Sequence, residues 1–357
     1  MTYHVLIAAG GTGGHIIPAQ VVAEDLFEEG VSVSFAAHGL SENRFFNKER
    51  FCFHDISAAP LSFSPFAALK FLLRMSTGVF SSVPFVKEVD LVIGFGSYHS
   101  FPVILAAYLK KTPFVFYEAN AVPGKVIRFF SSSAQWTACP FEEAFTKLRG
   151  ETRSVEPILR RHLREPPTLE NAKDYFGLPL QIPTILVMGG SQGAETLNTL
   201  MPKVLSRFSE ERKLSVIHLA GCKEDVNTLK KKYEDLGVLA TVKAFEHRME
   251  NALAAADVVI SRSGASAVAE IEAFQKPAIY IPYPRSTDDH QKKNAFSASC
   301  RGKASVIDEK EASPDAVFSH LARWLFTQSK NSFTPRKRGH FVSMILETLH
   351  SSRKGAV

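Results

Sequence analysis

The sequence predicts an α/β protein of two Rossmann-like domains facing each other across a cleft. Three observations predict it. Short apolar runs alternate with longer amphipathic stretches through both halves of the chain, the pattern of strands followed by crossover helices. The alternation breaks between about Val155 and Pro183, in a stretch with five prolines and many charges. Each half also opens alike, an apolar run entering a glycine-rich turn and then a helix: "HVLIAAGGTGGH" in the first, "TILVMGGSQGAE" in the second.

The elements follow in order. Residues 4–9 ("HVLIAA") form a strand, a helix runs from about Ile17 to Glu29 with Gly30 as its stop, and residues 31–37 ("VSVSFAA") return as a strand. Further strands are expected at 90–95 ("DLVIGF") and 112–118 ("TPFVFYE"), with a crossover helix between them. After a linker at 161–182 the pattern restarts at 184–188 ("TILVM"). It continues through "LSVIHLAG", a charged helix at 224–236, "LATVKAF", a helix near 248–256, "DVVISR", a helix in "SGASAVAEIEAF" and a strand in "KPAIYIPYP". The domains are thus 1–160 and 183–335. The segments "SPDAVFSHLARWLF" and "GHFVSMILETLHSS" read as two late helices, the second within 336–357, and either domain could receive them.

Composition narrows the function. A chain of 357 residues that is 45% hydrophobic and 22% charged has enough apolar material for two cores. The net charge of +6 favours anionic partners in general. Cys52, Cys139, Cys222 and Cys300 are far apart, without metal-ligand spacing, and read as reduced structural thiols; no metal and no cofactor is expected. No basic leader precedes the first strand, and no apolar run approaches the roughly 20 residues of a membrane span. The expected protein is neither exported nor membrane-spanning.

A strand that ends in glycines and enters a helix offers free backbone N–H groups and the positive end of the helix dipole, which suit an anion. The dinucleotide pattern G-x-G-x-x-G fails here, because its last position falls on Ile16 and the acid expected at the end of the second strand is missing. His15 follows the last glycine, and an imidazole kept neutral by the helix start suits a general base. Its alternative is a structural hydrogen bond. In "RSGASAVAE" (262–270) Glu270 falls two turns into a helix, placed to accept from two ribose hydroxyls, or else as a solvated helix residue. The polar loop "STDDHQKKNA" (286–295) carries Gln291 and Asn294, amides suited to sugar hydroxyls; Asp288 and Asp289 read as solvated.

The set "GGTGGHIIPA", "GFGSYHSFP" with "YEAN", "MGGSQGAETLN", "SRSGASAVAEIEAFQKPAIYIPYP" and "DDHQKKNA" resembles the MurG family of N-acetylglucosaminyltransferases, in the same order and over nearly the whole chain. The resemblance implies the GT-B glycosyltransferase fold, with UDP-GlcNAc on the carboxyl-terminal domain and a membrane-embedded acceptor, lipid I, at the amino-terminal one. It implies that Thr12, Gly13 and Gly14 lie near the phosphates, that His15 is the base for the acceptor C4 hydroxyl, and that Glu118 shapes the acceptor side as a second catalytic group. Asn120 would touch the donor sugar, and Ser191, with Gln192 beside it, the diphosphate. Ala265, Ser266, Ala267, Val268, Ala269 and Glu270 would line the nucleotide, with Glu270 on the ribose. Gln291 would hold the GlcNAc hydroxyls, and backbone near Phe245 and Glu246 would read uracil.

Two departures stand out. The family's N-P-V-R or N-P-I-R run appears as "VEPILRR", with Glu156 at the Asn position and Leu159 at the Arg position; Arg160, one residue displaced, is the candidate for that arginine's work. Glu246 stands where the family commonly has isoleucine, which affects packing on uracil.

The implied reaction is an inverting transfer giving a β-1,4 linkage and lipid II for peptidoglycan, with helix dipoles and N–H groups, not a metal, taking the charge of departing UDP. Residues 59–80, rich in Phe and Leu with Lys70 and Arg74, read either as a docking segment for an anionic membrane or as a core helix. The expected location is the cytoplasmic face of the inner membrane, with other cell-wall synthesis proteins as partners and no nucleic acid. The competing readings are a UDP-sugar epimerase, a transferase for another acceptor, a non-catalytic UDP-sugar sensor, and, last, an oxidoreductase.

Overall fold

The computed structural model describes residues 2–60, 65–190, 193–209, 213–222, 224–326 and 340–354. The chain divides into two units, Met1–Arg160 with Lys337–Val357, and Arg161–Arg336.

Among the described residues, unit 1 is a seven-stranded, all-parallel sheet in the order β3-β2-β1-β4-β5-β6-β7. Its elements are β1 (His4–Ala8), α1 (Gly13–Glu28), β2 (Ser32–Ala37), β3 (Cys52–Asp55), α2 (Pro65–Lys87), β4 (Leu91–Gly94), α3 (Phe101–Lys110), β5 (Phe114–Tyr117), α4 (Lys125–Phe130), β6 (Thr137–Cys139) and β7 (Thr152–Ser154). Strand period 2 sends Val5 and Ile7 to one face, where they pack with Val22 and Leu26 of α1, and Leu6 and Ala8 to the other, against Val86 of α2 and Val103 and Ile104 of α3. Covered on both faces, the strand reads as an unbroken apolar run.

Unit 2 opens with α5 (Leu169–Tyr175) and continues through β8 (Thr184–Met188), α6 (Glu195–Ser209), β9 (Ser215–Leu219), α7 (Val226–Asp235), β10 (Leu239–Lys243), α8 (Met249–Ala255), β11 (Val258–Ser261), α9 (Ala265–Ala273), β12 (Ala278–Tyr280), α10 (His290–Cys300), β13 (Ala304–Val306) and α11 (Pro314–Phe326). Its sheet, six-stranded among the described residues and also parallel, has the order β10-β9-β8-β11-β12-β13. Ile185 and Val187 of β8 pack with Leu197 and Met201 of α6, Leu229 of α7 and Leu321 of α11.

The last helix, α12 (His340–Lys354), returns to unit 1. Phe341, Val342, Met344, Ile345 and Leu349 enter the core beside β1 and α1, and buried Trp136 donates its indole N–H to Thr348 Oγ1 at 3.0 Å. Burying these five apolar side chains contributes about 10 kcal/mol, as much as the whole stability of a typical domain. Deleting residues 340–354 is therefore expected to unfold unit 1, seen as loss of its cooperative melting transition; a transition of unchanged midpoint would contradict this packing.

Three segments differ from the sequence expectations. Helix α1 starts at Gly13 instead of about Ile17, so Gly13 and Gly14 are its first turn. Residues 161–182 fold with unit 2 instead of forming a plain linker: Thr168 Oγ1 caps α5 through Asn171 N at 3.3 Å, and the buried Lys173 ammonium donates to Leu180 and Ile182 carbonyls at 3.1 and 2.6 Å. The loop expected at 286–295 becomes α10 from His290 onward, after left-handed backbone at Asp288 (φ 52°) and Asp289 (φ 54°).

Candidate active site

In unit 1, β1, β4 and β5 are neighbours, so the turns that follow them open along one edge of the sheet. After β1, Thr12 stands in extended backbone at the α1 N-cap, and its carbonyl accepts from His15 N and Ile16 N at 3.1 and 3.2 Å. Its hydroxyl lies 3.3 Å from His15 Nδ1 and does not cap the helix, and the first turn holds no acidic side chain. The helix start keeps its dipole and the N–H groups of Gly13 and Gly14, an arrangement that suits an anion. At Gly14 an added Cβ would meet only Thr12 Oγ1, at 3.6 Å, so this approach is open. Gly10 and Gly11 differ: the space their missing side chains leave is filled by His99.

After β5, Glu118 is buried and both its oxygens are engaged. Oε1 accepts from Asn120 N at 2.9 Å and Asn120 Nδ2 at 3.0 Å, and Oε2 accepts from Gly124 N at 2.8 Å. Burial pushes the Glu118 carboxyl above its ordinary range, partly offset by these donors. Asn120 is thereby fixed at the turn. Beneath it the thiol of Cys139 donates to the Asn120 carbonyl at 3.6 Å, and burial keeps this thiol protonated. Glu156 is exposed, Leu159 is buried and Arg160 is half-buried, so the sequence shift puts an apolar anchor at the family's Arg position. Tyr117 Oη accepts from Ile158 N at 3.1 Å and ties this segment to the end of β5.

In unit 2, β8, β11 and β12 are adjacent, and their following turns carry the second set. Ser191 and Gln192 lie outside the described residues. Ala265, Ser266, Ala267, Val268, Ala269 and Glu270 are on α9, which starts at Gly264 with no side-chain cap and no acidic residue in its first turn. Glu270 is buried, not the solvated helix residue of its alternative reading. Gln291 is the second residue of α10; its Oε1 accepts from Tyr283 N at 3.0 Å, and its carbonyl accepts from Ser263 Oγ at 2.8 Å. Asn294 is fully buried and donates to the Ser263 carbonyl at 3.2 Å, so it holds the α9 turn and is withdrawn from any sugar. After β10, Phe245 is exposed, whereas the Glu246 carboxylate is folded inward, accepting from Lys243 Nζ at 2.7 Å, Arg248 N at 2.8 Å and Tyr175 Oη at 3.3 Å. Burial would raise this carboxyl, but those donors outweigh it and hold it below its usual range.

Two groups escape a reading of the sequence. Arg262, buried just before the α9 turn, donates to the Ile281 and Pro282 carbonyls at 3.0 and 3.1 Å and to Glu309 Oε2 at 2.9 Å. Glu309 also accepts from Thr196 near the start of α6. No local signal marks Glu309, which follows a short edge strand far along the chain. The other group, Ser97 and His99, lies in the quoted "GFGSYHSFP", but nothing in that motif says where the imidazole packs.

Two parallel α/β units, each with an uncapped helix start at the carboxyl edge of its sheet, are the architecture of the GT-B class of glycosyltransferases. Residues 5–138 match the glycosyltransferase family 28 N-terminal domain and residues 184–349 the family 28 C-terminal domain, and the chain belongs to this family. It is 41% identical, over 90% of its length and 87% of the relative's, to the UDP-N-acetylglucosamine--N-acetylmuramyl-(pentapeptide) pyrophosphoryl-undecaprenol N-acetylglucosamine transferase of Protochlamydia amoebophila. The protein of the same description from Chlamydia muridarum is 36% identical over 88% of this chain and 87% of its own. Among solved structures, Acinetobacter baumannii MurG superposes with a TM-score of 0.75 at 27% identity, covering 90% of this chain and 91% of that one.

Proposed function

We propose that this protein transfers GlcNAc from UDP-GlcNAc to the C4 hydroxyl of the MurNAc of undecaprenyl-pyrophosphoryl-MurNAc-pentapeptide, converting lipid I to lipid II in peptidoglycan synthesis. The observation that carries this reading is the 41% identity to a transferase of that description, across both units. His15, at the open helix start of α1, removes the proton of the acceptor hydroxyl as it attacks the anomeric carbon with inversion. Thr12, Gly13 and Gly14 offer N–H groups to phosphate. Glu118, with both oxygens engaged, acts by holding Asn120 toward the donor sugar and takes no proton itself. In unit 2 the α9 helix start, together with Ser191 and Gln192, stabilises the charge that develops on UDP, Glu270 accepts from the ribose, and Gln291 binds GlcNAc with its amide nitrogen. Glu246 faces away into its ion pair, so uracil meets backbone and Phe245 there. Arg160 takes over the work of the family's arginine, one residue displaced. Incubation with UDP-GlcNAc and a lipid I analogue tests the reaction: the acceptor gains one N-acetylhexosamine in mass, and an unmodified acceptor contradicts the proposal.

The acceptor's lipid calls for docking on a bilayer from its cytoplasmic face. No helix among the described residues is long and apolar enough to cross a membrane. Helix α2 combines the two roles its sequence left open. Met75, Ser82 and Val86 are buried, while Leu72, Leu73 and Phe80 are 59%, 61% and 77% exposed beside Lys70 and Arg74. Tyr108, Leu109 and Phe129 add exposed apolar surface on α3 and α4, with Lys110 and Lys111 close by in the chain. The Phe66 side chain lies outside the described residues and Phe71 is half-buried, so Leu72, Leu73 and Phe80 are the positions to change. Replacing all three with serine is expected to weaken co-sedimentation with anionic vesicles by about tenfold or more. Equal binding by the folded triple variant would remove α2 from the docking surface.

A further inference from the structure

The loop between β4 and α3, residues 95–100, runs beside the glycine-rich turn because β4 pairs with β1. Its backbone is tightly set. Gly96 (φ 83°) and Ser97 (φ 69°) are both left-handed, an uncommon state for serine. The fully buried Ser100 fixes the bend, donating from Oγ to the Gly96 carbonyl at 2.6 Å and to the Ser97 carbonyl at 3.0 Å. Ser97 Oγ in turn meets His99 Nδ1 at 2.7 Å.

This places the His99 side chain in the space left by two absent side chains. A Cβ added at Gly10 would lie 2.6 Å from His99 Cβ, and one at Gly11 would lie 2.9 Å from His99 Nδ1 and 3.0 Å from its Cε1. Gly11 is also left-handed (φ 88°), and its carbonyl accepts from Asn43 Nδ2 at 2.7 Å. On the far side the His38 ring stacks at 5.9 Å, and His38 N donates to the His99 carbonyl at 3.1 Å. His38 is itself held by Nδ1 donating to the Ile56 carbonyl at 3.1 Å, and the Tyr98 ring lies 3.8 Å from that of His99. Burial, helped by His38, pushes the His99 imidazole down to about 4, so it is uncharged at neutral pH.

We propose that His99, clamped by Ser97, is a positioning residue for sugar transfer: it fills the hollow behind Gly10 and Gly11 and fixes the turn that delivers Thr12 and His15 to the acceptor. The proposal deepens the transfer reading and rests on it. Two of the four glycines in this turn therefore serve the protein's own packing, Gly13 sits against Ile17 and Phe45, and the open approach is left to Gly14.

The test uses the full chain and steady-state transfer to a lipid I analogue. His99→Ala is expected to lower kcat by about tenfold or more while leaving the KM for UDP-GlcNAc within about twofold, because only the turn is loosened. His99→Gln, which keeps a polar partner for Ser97, should recover most of the turnover. Should His99→Ala fail to fold, Ser97→Ala removes the clamp without emptying the hollow, and the same fall in kcat is expected from it. The proposal is overturned if His99→Ala, or Ser97→Ala in its place, turns over like wild type. It is equally overturned if Gln falls as far as Ala, or if the loss appears in donor KM as much as in kcat. His15→Ala, assayed alongside, separates the two levels. Normal turnover there refutes the base assignment, whereas the Ala and Gln variants at 99 judge the clamp.

Discussion

Replacing His15 with alanine is expected to lower kcat for GlcNAc transfer by about a hundred- to ten-thousandfold, the range for losing a positioned general base. UDP-GlcNAc affinity should change little. Most of the donor-binding groups proposed above lie in unit 2, whereas His15 is in the first turn of α1 in unit 1, so its loss should remove an interaction of the transition state more than one of the bound donor. The substitution is mild for the fold, because His15 is only partly buried and its backbone N–H bond to the Thr12 carbonyl is kept. Isothermal binding of UDP-GlcNAc and single-turnover transfer, measured on the same preparation, separate the two quantities. Turnover within a few-fold of wild type would remove His15 from the chemistry.

Replacing Glu270 with glutamine should do the reverse. A carboxylate that accepts from two ribose hydroxyls contributes about 1.5–3 kcal/mol per charge-assisted bond, so losing its charge is expected to raise donor KM by about ten- to a hundredfold. The effect on kcat at saturating donor should be smaller. Glutamine preserves the volume of a buried site, which keeps the result readable. An unchanged KM with a lower melting temperature would make Glu270 a structural carboxylate of α9 and remove it from the ribose.

The fold was legible in the sequence wherever one element carries its own signal. Apolar runs such as "HVLIA" mark strands buried on both faces, and the two glycine turns mark helix starts at the carboxyl edge. The short strands β3, β6, β7 and β13, of three or four residues, carry no such signal, because they exist through pairing with a neighbour already in place. The amphipathic character of α12 was plain, but its destination was not. That depends on Trp136 and Thr348, which meet 212 residues apart in the chain.

The candidate site divides the same way. Residue types at helix starts, such as Thr12 and His15, and the carboxylate of Glu270 two turns into its helix follow from local pattern. What each side chain is already doing does not: Asn294 is spent on Ser263, Glu246 on Lys243, and Glu118 on Asn120. The Asn294 bond forms only after two distant turns meet, and the other two join residues two or three apart through local bends that the residue types alone do not announce. Arg262 with Glu309, and His99 behind Gly11, belong to the same class.

The most direct test of the account is release of UDP from UDP-GlcNAc by the purified protein, with and without a lipid I analogue, with other UDP-sugars as controls. The account predicts release that depends on the acceptor and is specific to UDP-GlcNAc. Nucleotide binding without release, in the presence of a competent acceptor and a membrane mimic, would contradict it.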